Sequence, residues 1–325
     1  MEKTILVTGA GGRLGQELVR KLAVQYGKNN VIASDMDAAA VGKFPYCHFE
    51  TMNIFNTEHL QHIIQVYKVA QIYHLATILP VLGKTIPFES WNILETAKGL
   101  RNILELARIN GLERVFWPSS TAVFGQNAQK RQTPQFADTD PDTIYGISKV
   151  VGEQRCRQYA EKYGVDIRSL RYPGLIGDGL KLRGEITDYA VDIYRHAAAK
   201  KSYTCYLRPD TRLPMIYMPD AVQAALDLMR APLENIKVRT SYNLAATSFT
   251  PAEIHRSICR FYPDFEITYR PDFRQDLADT WPDSIDDQMA RRDWGHKSEY
   301  DLDAMTEDML YRLEGKSKVI SLFDP

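Results

Sequence analysis

The chain has 325 residues, of which 44% are hydrophobic, and its 40 Lys and Arg oppose 41 Asp and Glu, for a formal net charge of −1. This composition is typical of a globular protein with one large or two modest domains, and it excludes a disordered or low-complexity chain. The balanced charge disfavours nucleic acid and anionic lipid as partners and favours a small-molecule substrate.

The first predicted element is a strand at 4–7, which follows Met1 closely. No apolar signal region or cleavage site precedes it, so we expect a cytoplasmic protein. No apolar run reaches the roughly 18 residues of a membrane span, so no membrane partner is expected. The four cysteines show no CxxC spacing, which predicts neither a metal site nor a disulfide framework.

The first half of the chain alternates short β-branched runs with longer stretches of helical periodicity. Further strands are predicted at 31–34, 71–75, 114–117 and 167–170. Helices are predicted around 57–67, 96–110 and 145–163, each long enough for a right-handed crossover. The predicted fold class is therefore α/β, a Rossmann-type doubly wound parallel sheet with a smaller C-terminal α+β substrate lobe.

Prolines interrupt shorter elements after about Pro173, so we place the domain boundary there. Residues 1–173 are predicted to form the Rossmann domain and residues 174–325 mainly the substrate lobe, with some later elements returning to the first sheet. A helix is predicted to begin at Pro251, because Thr250 and Glu253 form a capping-box pattern around it.

A glycine-rich turn follows the first strand. Gly9, Gly12 and Gly15 form a GxxGxxG pattern that opens a helix, where glycine lets backbone N–H groups approach a pyrophosphate. Asp35 lies at the end of the second strand, twenty residues after Gly15. A carboxylate there accepts hydrogen bonds from ribose hydroxyls and repels a 2′-phosphate, so the pattern favours NAD over NADP.

Tyr145 and Lys149 are four residues apart at the start of a predicted helix, hence on one face. A tyrosine serves as a base near neutral pH only when positive charge stabilises the phenolate, and a neighbouring ammonium provides that charge. Ser120 ends the strand at 114–117 in a Ser-Ser-Thr run and is placed to share a proton with a substrate oxygen.

These motifs together resemble the extended short-chain dehydrogenase/reductase superfamily, the NAD-dependent epimerase/dehydratase group. Within that superfamily, a set of matches through nearly the whole chain is most similar to the short-chain type L-threonine 3-dehydrogenases. The matching stretches are 116–120, 145–149, 168–174, 187–190, 213–215, 241–246 and 271–275. The resemblance implies metal-independent oxidation of the 3-hydroxyl of L-threonine to 2-amino-3-oxobutyrate with NAD.

The resemblance also implies the site residues. The implied catalytic residues are Ser120, Tyr145 and Lys149. The implied cofactor-binding residues are Gly9, Gly12, Arg13, Leu14, Asp35, Asn53, Ile54, Leu75, Tyr145, Lys149 and Leu175. The implied substrate-binding residues are Ser119, Ser120, Tyr145, Thr187, Asp188 and Trp281. A homodimer joined through the helices at 96–110 and 145–163 is implied as well.

Three positions depart from the family pattern. Asn53 stands where an aspartate is usual, and Pro80 stands where a serine is usual, which removes a hydroxyl near the substrate. The loop 178–186 carries charge where small residues are expected, so the substrate is either larger or differently charged, or the loop is a solvated lid. Two roles also stay open elsewhere, because 187–188 fits a helix cap and Trp281 fits packing between lobes.

Two alternatives to a threonine dehydrogenase stay open. A nucleotide-sugar epimerase uses the same residues but needs a pocket for a nucleoside diphosphate. A non-catalytic NAD-sensing protein needs only the cofactor site, and the intact Ser120, Tyr145 and Lys149 speak against it.

Overall fold

The computed structural model describes residues 3–77 and 89–315, with 89–96 described by their backbone only. Its strands are β1 (Thr4–Thr8), β2 (Val31–Asp35), β3 (His48–Thr51), β4 (Val69–His74), β5 (Arg114–Ser120), β6 (Ile167–Tyr172), β7 (Gly174–Ile176), β8 (Tyr203–Cys205), β9 (Leu213–Tyr217), β10 (Tyr242–Asn243), β11 (Thr247–Phe249) and β12 (Ile267–Tyr269). Its α-helices are α1 (Arg13–Tyr26), α2 (Thr57–Val66), α3 (Glu89–Asn110), α4 (Ile144–Tyr163), α5 (Tyr189–Ala198), α6 (Met218–Arg230), α7 (Pro251–Cys259), α8 (Phe273–Ala278), α9 (Gln288–Trp294) and α10 (Leu302–Leu313). Within these ranges, no helix is long and apolar enough to cross a membrane.

Seven of the described strands form one parallel sheet in the order β10-β6-β5-β4-β1-β2-β3. Read from β3 to β6, this is the strand order of dinucleotide-binding folds, in which ligands bind where the winding reverses beside β1. The centre of β1 is fully buried because helices cover both faces of the sheet, α1 and α6 on one side and α2, α3 and α4 on the other. The predicted Rossmann-type fold is confirmed.

The helices predicted in the first half are present, with two changes in length. The one expected at 96–110 begins earlier, at Glu89, and the one expected at 57–67 ends at Val66. The strand β3 was not predicted, because its sequence His48-Phe49-Glu50-Thr51 lacks an apolar run and lies at the sheet edge.

The C-terminal part contains two small sheets, of order β11-β9-β7 and β12-β8, surrounded by helices. Its own core includes Tyr189 and Tyr194 of α5 together with Met305 and Met309 of α10. The helix predicted to begin at Pro251 does so, in α7. The smaller α+β lobe expected from the sequence is therefore present.

The two parts interlock through β6. Strand β10 of the later part pairs with β6 at the edge of the large sheet. The fully buried Arg168 of β6 donates to the carbonyl oxygens of Leu228 and Ala231, both at 2.6 Å, at the C-terminal end of α6. Helix-terminal carbonyls need such donors, so Arg168 fixes α6 against the large sheet.

Candidate active site

The glycine loop connects β1 to α1 at the C-terminal edge of the sheet. Gly9 has φ +71°, and a Cβ there would lie 2.5 Å from the backbone nitrogen of Ala76. A Cβ on Gly15 would lie 2.6 Å from the carbonyl oxygen of Gly9. Both contacts are shorter than any side chain tolerates, so the loop can pass this close to β4 and α1 only with glycine.

The first turn of α1 and the end of β2 meet at this loop. Among the described residues, α1 has neither a side-chain cap at Gly12 nor an acidic residue in its first turn. The Asp35 Oδ2 atom accepts a hydrogen bond from the Gly11 N–H group at 2.8 Å. The uncapped N–H groups and the helix dipole make this position suitable for an anion such as a pyrophosphate.

Arg13 and Leu14 occupy the first turn of α1. Leu14 packs against the core beneath the loop. The guanidinium group of Arg13 pairs with Asp178 at 3.0 Å and with Glu17 at 3.3 Å. A Cβ on Gly179 would lie 2.4 Å from Arg13 Nη1, so the loop of the second part packs directly on this arginine. Arg13 thus connects the glycine loop to the second part of the chain.

The remaining predicted cofactor residues lie around the same edge. The side-chain oxygen of Asn53 accepts from the Phe55 N–H group at 2.9 Å in an exposed turn after β3, and Ile54 packs against Gly99 of α3. Leu75 follows β4 and donates its N–H to the Thr8 carbonyl at 2.9 Å. Leu175 lies on β7 opposite Ile216. Three of these residues therefore follow the ends of β3 and β4, and the fourth, Leu175, lies in the three-stranded sheet β11-β9-β7.

The two serines at the end of β5 point in opposite directions, as consecutive residues of a strand do. The Ser119 hydroxyl is buried and donates to Glu153 Oε1 at 2.6 Å. The Ser120 side chain hydrogen-bonds the Tyr145 hydroxyl and also accepts from the Ala122 N–H group at 3.2 Å. Of the two predicted serines, the structure brings Ser120 together with the tyrosine.

Tyr145 and Lys149 lie one turn apart on α4, which begins after the Thr143 cap. The Lys149 ammonium donates to the Pro118 carbonyl at 2.7 Å and lies 5.4 Å from the centre of the Tyr145 ring. It also lies 4.8 Å from the centre of the Trp117 ring. The strand end and the helix start thus gather the three predicted catalytic side chains.

Burial shifts the pKa values of these groups. Burial raises the pKa of Tyr145 to about 12. The hydrogen bond with Ser120 opposes this rise, and the charge of Glu185 adds to it. Burial lowers the pKa of Lys149 to about 8, against the charge of Glu153. Burial, with the charge of Lys149, lowers the pKa of His74 to about 3, so this imidazole is neutral.

Three predicted substrate residues lie in the second part. The Thr187 side chain packs on Gly174, where a Cβ would lie 2.7 Å from Thr187 Cγ2. Asp188 Oδ2 accepts hydrogen bonds from the N–H groups of residues 183, 184 and 185 at 2.7, 2.8 and 3.0 Å. Trp281 is partly buried, and its carbonyl accepts from Lys130 at 2.9 Å. Pro80 lies outside the described residues.

The charges of the loop 178–186 separate into two groups. Lys181 and Arg183 are exposed, whereas Glu185 is partly buried and its charge acts on Tyr145. Burial and the charge of Asp188 raise the pKa of Glu185, against the charge of Arg183. The sequence marked this loop as unusual without identifying Glu185 as the residue whose charge acts on Tyr145.

Sequence analysis missed Glu153, which lies one turn after Lys149 on α4 and bonds to Ser119. The four-residue spacing was a signal for it, but its partner Arg171 is distant in sequence. No group of three or more His, Cys, Asp or Glu side chains among the described residues is arranged to hold a metal ion.

Comparisons with known proteins agree with this geometry. A model of the NAD dependent epimerase/dehydratase family matches residues 5–245. An uncharacterized epimerase/dehydratase of Staphylococcus haemolyticus is 40% identical over 319 residues, covering 97% of this chain and 98% of the relative.

Two solved structures are similar along nearly the whole chain. A GalE-like L-threonine dehydrogenase from Cupriavidus necator, in its holo form, has a TM-score of 0.91 at 46% identity, covering 95% of this chain and 99% of that one. A monomeric L-threonine 3-dehydrogenase from a metagenome database, in its apo form, has a TM-score of 0.86 at 41% identity, covering 96% and 99%. The likeness therefore extends through both parts of the molecule.

Proposed function

Because this chain belongs to the NAD dependent epimerase/dehydratase family and is an NAD-dependent enzyme, we propose that it oxidises the 3-hydroxyl of L-threonine or of a close 3-hydroxy amino acid. The product is 2-amino-3-oxobutyrate or its analogue. The observation that carries the proposal is the Ser120–Tyr145 hydroxyl contact beside Lys149, in a chain that is 46% and 41% identical to two L-threonine dehydrogenases of solved structure.

The residues around the glycine loop fit NAD. Gly9 and Gly15 leave the space that a Cβ would fill, and the uncapped start of α1 suits the pyrophosphate. Asp35 would hold the adenosine ribose. Its two carboxylate oxygens accept from the N–H groups of Gly11 and Asp37, and each oxygen can accept one more hydrogen bond from a ribose hydroxyl. Asn53 and Ile54 would flank the adenine, with Leu75 and Leu175 nearer the reacting end. When bound, NAD supplies the acceptor for the hydride removed from the substrate.

The protein's own groups move the proton. The substrate hydroxyl would lie between Ser120 and Tyr145, and the phenolate oxygen would take its proton while the carbon-bound hydrogen leaves with its electron pair. A phenol with a pKa of about 12 ionises near neutral pH only if positive charge comes close. The Lys149 ammonium, held by the Pro118 carbonyl, lies 5.4 Å from the centre of the Tyr145 ring and would favour the phenolate.

The second part would recognise the substrate. Glu185 is a partly buried carboxylate whose charge reaches Tyr145, and it suits the ammonium group of an amino acid. The same charge is unfavourable for an anionic substrate such as a nucleotide sugar. Thr187, Asp188 and Trp281 remain candidates for the rest of the substrate.

The test is NADH formation at 340 nm with purified protein, NAD and a panel of hydroxy compounds. The panel contains L-threonine, D-threonine, L-allo-threonine, L-serine and 3-hydroxybutyrate. UDP-glucose is incubated separately and its sugar product is analysed by chromatography, because epimerisation produces no net NADH. Oxidation of L-threonine that is lost in Tyr145→Phe supports the proposal. Epimerisation without amino-acid oxidation identifies an epimerase, and NAD binding with no turnover of any compound identifies a sensor.

We also propose a homodimer, joined through α3 and α4 as the family resemblance implies. The exposed Ile109 and Tyr163 at the ends of these helices suit an apolar contact. One solved relative is described as monomeric, so the oligomeric state does not follow from the proposed activity. Light scattering on the purified chain measures it directly. The cytoplasmic location stays a prediction.

A further inference from the structure

A buried ion pair lies directly beneath the catalytic groups. Glu153 on α4 and Arg171 on β6 are each about 4% exposed. The Arg171 Nε and Nη2 atoms donate to Glu153 Oε1 and Oε2 at 2.9 and 2.7 Å. Arg171 Nη1 donates further to the Gln135 carbonyl at 2.9 Å and to Asn243 Oδ1 at 3.1 Å. With these bonds satisfied, the pair can remain ionised in the interior.

Glu153 also holds the end of β5. The Ser119 hydroxyl donates to its Oε1 atom at 2.6 Å. Ser119 lies between Pro118, whose carbonyl accepts from Lys149 at 2.7 Å, and Ser120, which bonds Tyr145. A shift of Ser119 would therefore move both contacts that set the distance between the strand end and α4.

The charge of Glu153 acts on Lys149, four residues earlier on the same helix face. Other groups face this ammonium from α4 and β4: Tyr145, Cys156 and His74. Burial holds the pKa values of Tyr145 and Cys156 above their ordinary values and that of His74 at about 3, so all three are neutral near pH 7.

Arg171 donates to both carboxylate oxygens of Glu153. Burial lowers the pKa of Lys149 to about 8, and Glu153 is the largest influence that opposes it.

We propose that Glu153 is a positioning residue of the reaction, which fixes the end of β5 through Ser119 and keeps Lys149 in its ammonium form. The inference rests on the proposed function, since it takes Tyr145 and Lys149 as the proton-transfer pair. It assigns the Glu153–Arg171 pair a task in the chemistry in addition to packing.

The experiment measures the titration of Lys149 directly, in protein labelled with ¹³C at lysine Cε. The signal is assigned by its absence from Lys149→Arg, and the wild type is compared with Glu153→Gln and Ser119→Ala. Removing the carboxylate charge should lower the Lys149 pKa by about one unit. Ser119→Ala keeps that charge, so it should change the pKa much less than Glu153→Gln does, while the loss of the bond that holds the end of β5 should lower kcat. The alkaline limb of kcat/KM should move to lower pH in Glu153→Gln only.

Glu153→Gln leaves Arg171 without its buried partner, so it is paired with a double variant, Glu153→Gln with Arg171→Gln, in which neither member of the ion pair remains as an unpaired charge. The double variant should show the same lowered Lys149 titration. An unchanged Lys149 titration in a folded variant that lacks the Glu153 carboxylate overturns the inference, as does an equal shift in Ser119→Ala. A wild type inactive on the whole panel contradicts the proposed function instead, and the titration is still measurable.

Discussion

Two regions border the proposed substrate pocket, and they are built in different ways. The junction 118–153 holds its groups with buried partners, since Ser119, Lys149 and Glu153 are each under 5% exposed. The loop 178–188 is held mainly through its backbone: three N–H groups converge on Asp188, and Arg195 and Tyr206 donate to loop carbonyl oxygens. Its Lys181 and Arg183 side chains are exposed.

The difference assigns chemistry and selectivity to different parts of the fold. A strand end packed on a helix fixes atoms closely enough for proton transfer, which depends on sub-ångström placement. A surface loop held mostly through its backbone can change its side chains without disturbing the core, so selectivity for the substrate can vary there. Damage to the junction should therefore lower kcat, whereas damage to the loop should raise KM.

The largest effect is expected for Tyr145→Phe at the junction. Without the phenol oxygen no group at this position can take the substrate proton, and kcat should fall by about 10³-fold or more. NAD binding, measured by fluorescence or calorimetry, should change little. Tyr163→Phe, on the exposed end of the same helix, is the matched control and should retain activity. Retained turnover in Tyr145→Phe would falsify the assignment.

The sequence predicted the parts of this comparison that depend on local pattern. The glycine turn, Asp35 and the Tyr145–Lys149 spacing are each defined within a few residues of a strand or helix boundary, where periodicity is informative. Ser120 is predicted as the catalytic serine from its place at the strand end and from the family resemblance, while both Ser119 and Ser120 stay candidates for the substrate. Which of the two meets the tyrosine depends on the orientation of α4, which the fold determines.

Long-range partners could not be predicted in the same way. Glu153 and Arg171 lie on a helix and on the following strand, and only the packing of α4 on the sheet brings them together. The bonds from Asp188 to residues 183–185 depend on the loop conformation, including Gly184 at φ +82°. The edge strand β3 was missed because it is not buried deeply enough to need an apolar run.

The next largest effect is expected in the loop, from Asp188→Ala. Loss of three charge-assisted bonds to backbone N–H groups should release the loop and raise the KM for L-threonine by about 10²-fold, with a smaller change in kcat. Asp188→Asn keeps an acceptor oxygen without the charge. If Asp188 acts as the support of the loop, steady-state kinetics should show the Asn variant close to wild type. Equal damage in both variants would instead show direct contact with the substrate ammonium.

A smaller effect is expected for Glu185→Gln. If Glu185 binds the substrate ammonium as proposed, loss of its carboxylate charge should raise the KM for L-threonine by about tenfold, as expected for one lost hydrogen bond to a charged group. Because Glu185 acts to raise the pKa of Tyr145, its removal should also move the rise of kcat with pH to lower pH. Lys181→Gln, an exposed change in the same loop, should alter neither value. The reverse pattern would mean that Lys181, rather than Glu185, meets the substrate.

The smallest effect on activity is expected for Thr250→Ala, which lies outside both regions. The Thr250 hydroxyl accepts from the Glu253 N–H at 3.2 Å, and the Glu253 carboxylate accepts from the Thr250 N–H at 2.8 Å, so the change removes half of a capping box at the start of α7. The free energy of unfolding should fall by about 1 kcal/mol. Neither kcat nor KM at 25 °C should change, because α7 packs on α5 and α10 within the core of the second part. Denaturant unfolding and steady-state kinetics on one preparation measure both. A raised KM would show that packing changes in the core of the second part reach the loop 178–188. The conformation of that loop would then depend on this core as well as on its own backbone contacts.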